Sequence, residues 1–417
     1  MKEKFIQKQI QLDPDKSTGR IKVGELCSIV DNHPYKENIY NFFDIENIKN
    51  EYVFIDYIDL VYEHVRYYIN NFKRYTIYAK TKDIDVYEKE TVVDGNLEKN
   101  IIFKFDEYVE IDELKESLEA TAIYNSKNSF LDEYVMTKYA NNLFKIGQPE
   151  LARYNVNHFR QLAKTHEEYN KLKSYRLVEH KDETYLRGIT STNYKEYGVD
   201  FAFVVSMLLL HNNMKENKGT EYAFTSVALN ESKLEIIVTE KLLKDAGAFG
   251  KISTAIKIST NDLGNASLNF SNIINVIGKS KQGFYLIPRE KSKIDIGNLA
   301  LTHITSPETV FKKLKDIDTI LNTSDDFISE LKNVKSIKTP DELRVKIHSK
   351  IVNPKSSFRN IKKLADIFNR KIDNEISSFS KLLDMCNKAE ELNIEYDLKD
   401  KLRYIISDIM LYGNTKS

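Results

Sequence analysis

Tryptophan is absent from the chain, and cysteine, proline and glycine are scarce, at two, seven and 14 of 417 residues. Two thiols as distant in sequence as Cys27 and Cys386 make neither a disulfide framework nor a zinc site. That excludes the small cross-linked secreted class and fits a reducing compartment. Long hydrophobic runs are missing too. The most apolar stretch, residues 201–210, is too short to cross a bilayer, and residues 1–12 are too charged for a secretory leader. The expectation is a soluble, cytoplasmic protein with no membrane partner. Nor is there an excess of either charge: 62 Lys and Arg balance 62 Asp and Glu. A neutral chain has no global attraction for nucleic acid, so any such binding must be local.

Catalytic signatures are equally lacking. The run Gly247-Ala248-Phe249-Gly250-Lys251 is wrongly spaced for a phosphate loop, and Ile252 stands where that loop needs a hydroxyl residue. No Gly-x-Ser-x-Gly or His-Glu-x-x-His motif occurs, and His158 and His166 have no third ligand nearby in sequence. The reading is a non-enzyme with no metal and no cofactor.

What the chain does have is patterning. At this length one to three domains are expected, and composition divides it into four segments. Residues 1–120 form an N-terminal α/β region and 121–184 a helical connector. Residues 185–305 form a central antiparallel sheet with a packed helix, and 306–417 an all-helical tail. The fold class is α+β. Residues 1–24 suggest an arm or an edge strand. Apolar positions at helical spacing predict a helix over 54–71, and others over 129–144, with Ser129 as its cap, and over 151–178. Alternation predicts strands over 75–79 and 83–93, the latter turning at Asp94-Gly95-Asn96 towards 101–105. In the tail, helices are expected from Pro307, from Pro340 and over 358–376, 377–393 and 398–412.

The central segment is the most regular. A short strand over 185–189 precedes a buried helix over 201–210, with Asp200 in the N-cap role. A hairpin follows, 222–229 and 234–239, turning at Asn230-Glu231-Ser232. Ile252, Thr254, Ile256 and Ile258 alternate with Ser253, Ala255, Lys257 and Ser259, the pattern of a strand with one polar face. Asn261, Asp262 and Gly264 form a structural turn before the alternation resumes over 266–270. Residues 283–287 are a last strand.

These residues also carry a resemblance. An Arg-x-x-x-Ser-x-x-Tyr segment, here Arg187, Ser191 and Tyr194, precedes the helix. An Asn-polar-x-Gly turn, here Asn261, Asp262 and Gly264, follows the hairpin. The pattern resembles a family of phage- and plasmid-encoded proteins classed only as a domain of unknown function, over the middle quarter of the chain and, loosely, the helical tail. Members often carry Cys-x-Asn-Gly after the second motif, whereas this chain has Asn275-Val276-Ile277-Gly278. The resemblance implies a mobile-element origin and no mechanism.

The positive functional signal is local charge. Between residues 241 and 293 bases outnumber acids, and Lys257 falls on the polar face of its strand with Ser253 and Ser259. A basic, hydroxyl-lined sheet tracks a phosphate backbone, while aromatics stack bases. The candidate nucleic-acid-binding residues are therefore Arg187, Tyr194, Lys251, Lys257, Lys279, Lys281, Tyr285, Arg289 and Lys291. They point to a protein that binds single-stranded nucleic acid, an annealing or recombination accessory being one form. The competing reading is a protein-interaction module of phage origin, with the helical tail as partner surface. Homo-oligomers would cover the sheet edges.

Overall fold

The computed structural model describes residues 3–93, 96–263, 268–277, 283–288, 298–315 and 339–413. The chain is α+β, with a large sheet, a closed barrel and C-terminal helices.

Among the described residues the large sheet has ten strands. Its path runs Phe284–Leu286, Leu268–Ile277, Lys251–Asn261, Lys233–Glu240, Tyr222–Leu229, Tyr52–Asp56 and Arg20–Lys22, with short strands attached at its sides. Neighbours are antiparallel except Tyr222–Leu229 and Tyr52–Asp56, which pair in parallel. The predicted hairpin turn works through Asn230. Its side-chain oxygen accepts from the Ser232 and Lys233 amides at 3.0 and 2.7 Å, so the loop is closed by its own side chain.

One helix, Gly198–Glu216, lies against this sheet. Every residue from Gly198 to His211 is buried. A helix that is apolar all round must be covered on all sides. The sheet covers one side with Phe224, Ile236, Val238 and Ile256, and the N-terminal region the other with Val23, Leu26, Val30, Ile58 and Val65. The predicted helix over 54–71 is Ile58–Asn71, and the residues before it, Tyr52–Asp56, form a strand instead.

The barrel is built from Lys73–Lys80, Leu172–His180, Glu183–Thr190, Glu113–Ala122, Asn96–Glu110 and Ile84–Val93 in spatial order. The long strand Asn96–Glu110 closes it by reaching Lys73–Lys80 at Tyr78 and Val109. Two of its hairpins turn on two residues at positive φ, Ile111-Asp112 and Lys181-Asp182, the geometry that matches strand twist. Three helices, Ser126–Asp132, Thr137–Lys145 and Pro149–Thr165, contribute Phe130, Leu143 and Val156 to the core that Phe103, Phe105 and Leu177 begin.

The segment 121–184 is thus more than a helical connector. The helix predicted over 129–144 is two helices, broken where Val135 takes φ 57°. Ser129 lies inside the first and is not its cap. The helix predicted over 151–178 stops at Thr165, and Leu172–His180 is a barrel strand. The Asp94-Gly95 turn itself falls outside the described residues, as do Gly264 and residues 316–338.

Tail helices Pro340–Val352, Lys362–Phe368, Phe379–Glu390 and Tyr396–Tyr412 share one apolar core with Ile252, Ile274, Val276, Phe284 and Leu286 of the sheet. A separable tail would not bury its leucines against strands in this way. Ile274→Ala is expected to cost about 2–5 kcal/mol, read by urea unfolding. Sheet and tail should unfold in one transition, with tryptophan probes placed in each giving coincident curves.

Candidate nucleic-acid interface and a buried arginine cluster

The strand read as a basic, solvent-facing track is covered. Lys257 is 5 % exposed, and its ammonium meets Asp400 at 2.6 Å and Glu235 at 3.0 Å. Burial disfavours its charge, yet the two carboxylates hold the proton on it more firmly than usual. Tyr285 is buried under the Arg403 guanidinium at 5.0 Å. Arg403 in turn donates to both oxygens of Glu390 and to the Tyr396 hydroxyl at 2.8 Å. Ser253 is buried as well. The polar alternation therefore marks an intramolecular interface with the tail. Lys251 is the one candidate of the basic set that stands exposed among the described residues; Lys279, Lys281, Arg289 and Lys291 lie outside them.

Arg187 and Tyr194 are also withdrawn from solvent, into a cluster where the barrel meets the sheet. Three neighbouring barrel strands each contribute an arginine: Arg74, Arg176 and Arg187. All three approach Glu196, in the segment between the last barrel strand and the central helix. Arg187 donates to it directly. Arg176 and Arg74 stand at 3.8 and 3.9 Å. Arg74 also pairs with Asp200 at 2.9 Å, so Asp200 acts in the first turn of the helix and not as its cap. The turn residue Asp262 is fully buried, 3.9 Å from Arg74 and 3.8 Å from His303. Asn261 holds the turn by accepting from the Leu263 amide at 3.0 Å. Tyr194 stacks between Arg176, at 4.3 Å, and His303, at 4.5 Å. Gly188 makes room, since a Cβ there would stand 3.1 Å from Arg176 Nη2.

Electrostatics in the cluster are divided. Burial works against ionisation of Glu196, but Arg187, Arg176 and Arg74 hold its carboxyl down to about 2. At Asp262, burial and the charge of Glu196 push the carboxyl up. Among the described residues no group of three His, Cys, Asp or Glu side chains is arranged to hold a metal. Burial raises the thiols Cys27 and Cys386 far from reactive range.

Sequence reasoning missed the surface that is open. Arg20–Lys22 is the edge strand, and its pairing with Tyr52–Asp56 sets Arg20 opposite Phe54 and Lys22 opposite Tyr52. Ile21, Val53 and Ile55 point inward, while all four of the others face out. Phe54 is 59 % and Tyr52 36 % exposed. Their rings lie 6.1 Å apart, with the Arg20 guanidinium 5.3 Å from the Tyr52 ring. Neither Arg20 nor Lys22 has an ion-pair partner among the described residues. The face borders a cleft of about 600 Å³ whose lining includes Thr18, Met214, Lys215 and Lys241. The alternation Tyr52-Val53-Phe54-Ile55 signals this strand, but it merges in sequence with the helix that follows.

Comparison with protein-family models, with curated proteins and with solved structures found no match.

Two outcomes are expected. Lys257→Met removes the ammonium shared by Glu235 and Asp400, leaving Glu235 only the Tyr396 hydroxyl at 3.0 Å and Arg403 at 3.9 Å, and should cost about 3 kcal/mol in chemical denaturation, whereas Lys251→Glu should leave stability nearly unchanged. Glu196 titrates lower in the folded chain than its ordinary value of 4.5. Its contribution is therefore complete above that pH and is lost as pH falls towards 2. Glu196→Gln should lower stability at neutral pH and flatten the acid limb of a plot of stability against pH; an unchanged limb would show that other carboxylates set it.

Proposed function

We propose that the protein binds single-stranded nucleic acid, with little sequence preference, on the outer face of the two-stranded sheet edge. The observation that carries this is the outward set Arg20, Lys22, Tyr52 and Phe54. Every base has a π-face, so adjacent exposed rings accept successive bases whatever their identity. Two cations without acidic partners neutralise phosphates and release counterions. The adjoining cleft has room for a nucleotide; its own lysines, Lys215 and Lys241, are already paired with Glu51 and with Asp56 and Glu221, so Arg20 and Lys22 supply the charge. The resemblance of the central segment to a phage- and plasmid-encoded family supports a mobile-element setting, with an annealing or recombination accessory as the form of the activity. Neither ring stacking nor phosphate contact needs a cofactor.

Fluorescence anisotropy with labelled oligo(dT) and an unstructured RNA tests the reading. The unmodified chain should bind at low salt and lose affinity steeply as salt rises. Replacing Tyr52 and Phe54 together by Ala should weaken binding by about 1–3 kcal/mol for each stacked base lost, with the melting temperature little changed. Arg20→Glu with Lys22→Glu should reduce the salt dependence, and Lys251→Glu should not. No binding by the unmodified chain at low salt would end the proposal and bring forward the protein-interaction reading.

A further inference from the structure

The tail carries a charge pattern that binding at the sheet edge does not use. From residue 343 to residue 365 the chain has seven lysines and arginines and no acidic residue. Two of the seven are taken up inside the tail, Arg344 by Asp341 and Lys346 by the Gly413 carbonyl. The other five, Lys350, Lys355, Arg359, Lys362 and Lys363, are all exposed. None of them has an ion-pair partner among the described residues. In a chain of zero net charge such a patch is a local positive field, which draws a negative partner and repels a positive one.

An apolar recess opens in the same place. A cleft of about 530 Å³ is lined by Lys350, Lys355, Phe358, Lys401, Tyr404 and Ile405 among others. It lies between the loop joining Pro340–Val352 to Lys362–Phe368 and the last helix, Tyr396–Tyr412. The loop is held by its own side chains. The Asn353 side-chain oxygen accepts from the Lys355 amide at 2.9 Å, and the Ser356 hydroxyl from the Phe358 amide at 3.2 Å. These turns send Phe358 inward, to 2 % exposure, and leave Lys355 and Arg359 outside. Arg359 is braced by donation to the Pro354 carbonyl at 2.8 Å. On the opposite wall Tyr404 is 46 % exposed, with the buried Lys257 ammonium 5.1 Å from its ring. Lys401 stands exposed beside it. The two acids that precede Lys401 on the helix are engaged elsewhere, Asp397 with Lys233 at 3.4 Å and Asp400 with Lys257 at 2.6 Å.

Apolar floor and unpaired cationic rim together select a ligand. Phe358, Ile405 and the Tyr404 ring accept an apolar side chain, and the lysines around them accept carboxylates. Apolar centres with polar rims are how protein interfaces are built. A phosphate backbone would satisfy the rim and leave the recess unfilled.

We propose that the tail cleft binds an acidic peptide segment of a partner protein. One large apolar side chain of the peptide packs against Phe358, Tyr404 and Ile405, and its neighbouring carboxylates meet Lys350, Lys355 and Lys401. The loop wall is ordered beforehand, so binding orders the peptide alone. The site is separate from the aromatic edge and does not depend on it.

The test is fluorescence anisotropy of the full chain with a labelled peptide of Asp and Glu carrying one central Phe. Saturable binding is expected at low salt, falling as salt screens the rim. The same peptide with Ala in place of Phe should bind about tenfold more weakly. Lys355→Glu with Lys401→Gln should weaken the Phe peptide about tenfold or more, with the melting temperature little changed, since both lysines are exposed and unpaired. Tyr404→Ala should narrow the difference between the Phe and Ala peptides, the coupling expected of groups in contact. Arg20→Glu with Lys22→Glu should leave peptide binding unchanged, which separates this site from the sheet edge. No saturable binding of the Phe peptide at low salt, equal binding of the two peptides, or binding that Lys355→Glu with Lys401→Gln leaves unchanged overturns the proposal. Loss of oligo(dT) binding in that variant, with no peptide bound by the unmodified chain, overturns it too and assigns the cations to nucleic acid.

Discussion

Three guanidinium groups from adjacent barrel strands converge on one carboxylate, and the joining of barrel to sheet depends on that convergence. Glu196 lies in the short link to the central helix, Asp200 in the helix itself and Asp262 at the tip of a sheet strand. Each body of the fold therefore supplies part of one ionic set. Desolvating so many charges is expensive, and the mutual attraction repays it only when the geometry is right. A misdocked barrel would leave arginines buried and unmatched, which is a stronger penalty than a lost apolar contact. The cluster thus acts on which arrangement forms more than on how stable it is.

The same division holds on the other face of the sheet. Lys257, Glu235, Asp400, Arg403 and Glu390 make a polar seam between the sheet and the tail. With the central helix on one face and the tail packed on parts of both, much of the sheet is closed to a ligand. What stays open is the edge, where Tyr52–Asp56 and Arg20–Lys22 extend beyond the tail and show alternate residues to solvent. Exposed aromatics there are a property of sheet order rather than of composition.

This explains what could be read from the sequence. Alternation over Lys251–Asn261 and the turn residues of 230–232 located strands and hairpin, because period and turn chemistry are local. Local signals also found the central helix, since its Met- and Leu-rich apolar run is longer than a buried strand usually is. They failed wherever the answer lay in a distant segment. The polar side of a strand looks the same whether water or Asp400 covers it, so Lys257 was read as solvated. Arg187, Tyr194 and Asp262 were singled out from two separate motifs, and nothing in either shows that they meet. Val135, a β-branched residue in the left-handed region, breaks a helix where side-chain type argues for none.

The parallel pair between Tyr52–Asp56 and Tyr222–Leu229 bears on how the chain is made. The N-terminal region cannot finish its sheet until the central strands exist. The Asn230 side chain bonds the Phe5 carbonyl across 225 positions of sequence, and Lys399 reaches Gln9 across 390. Such non-local pairing slows folding, because loops must close before their contacts form. During synthesis Val53, Ile55 and the helix Ile58–Asn71 leave the ribosome long before their partners, with their apolar sides uncovered. The order of synthesis thus leaves one apolar side of the N-terminal region uncovered until Tyr222–Leu229 has been made.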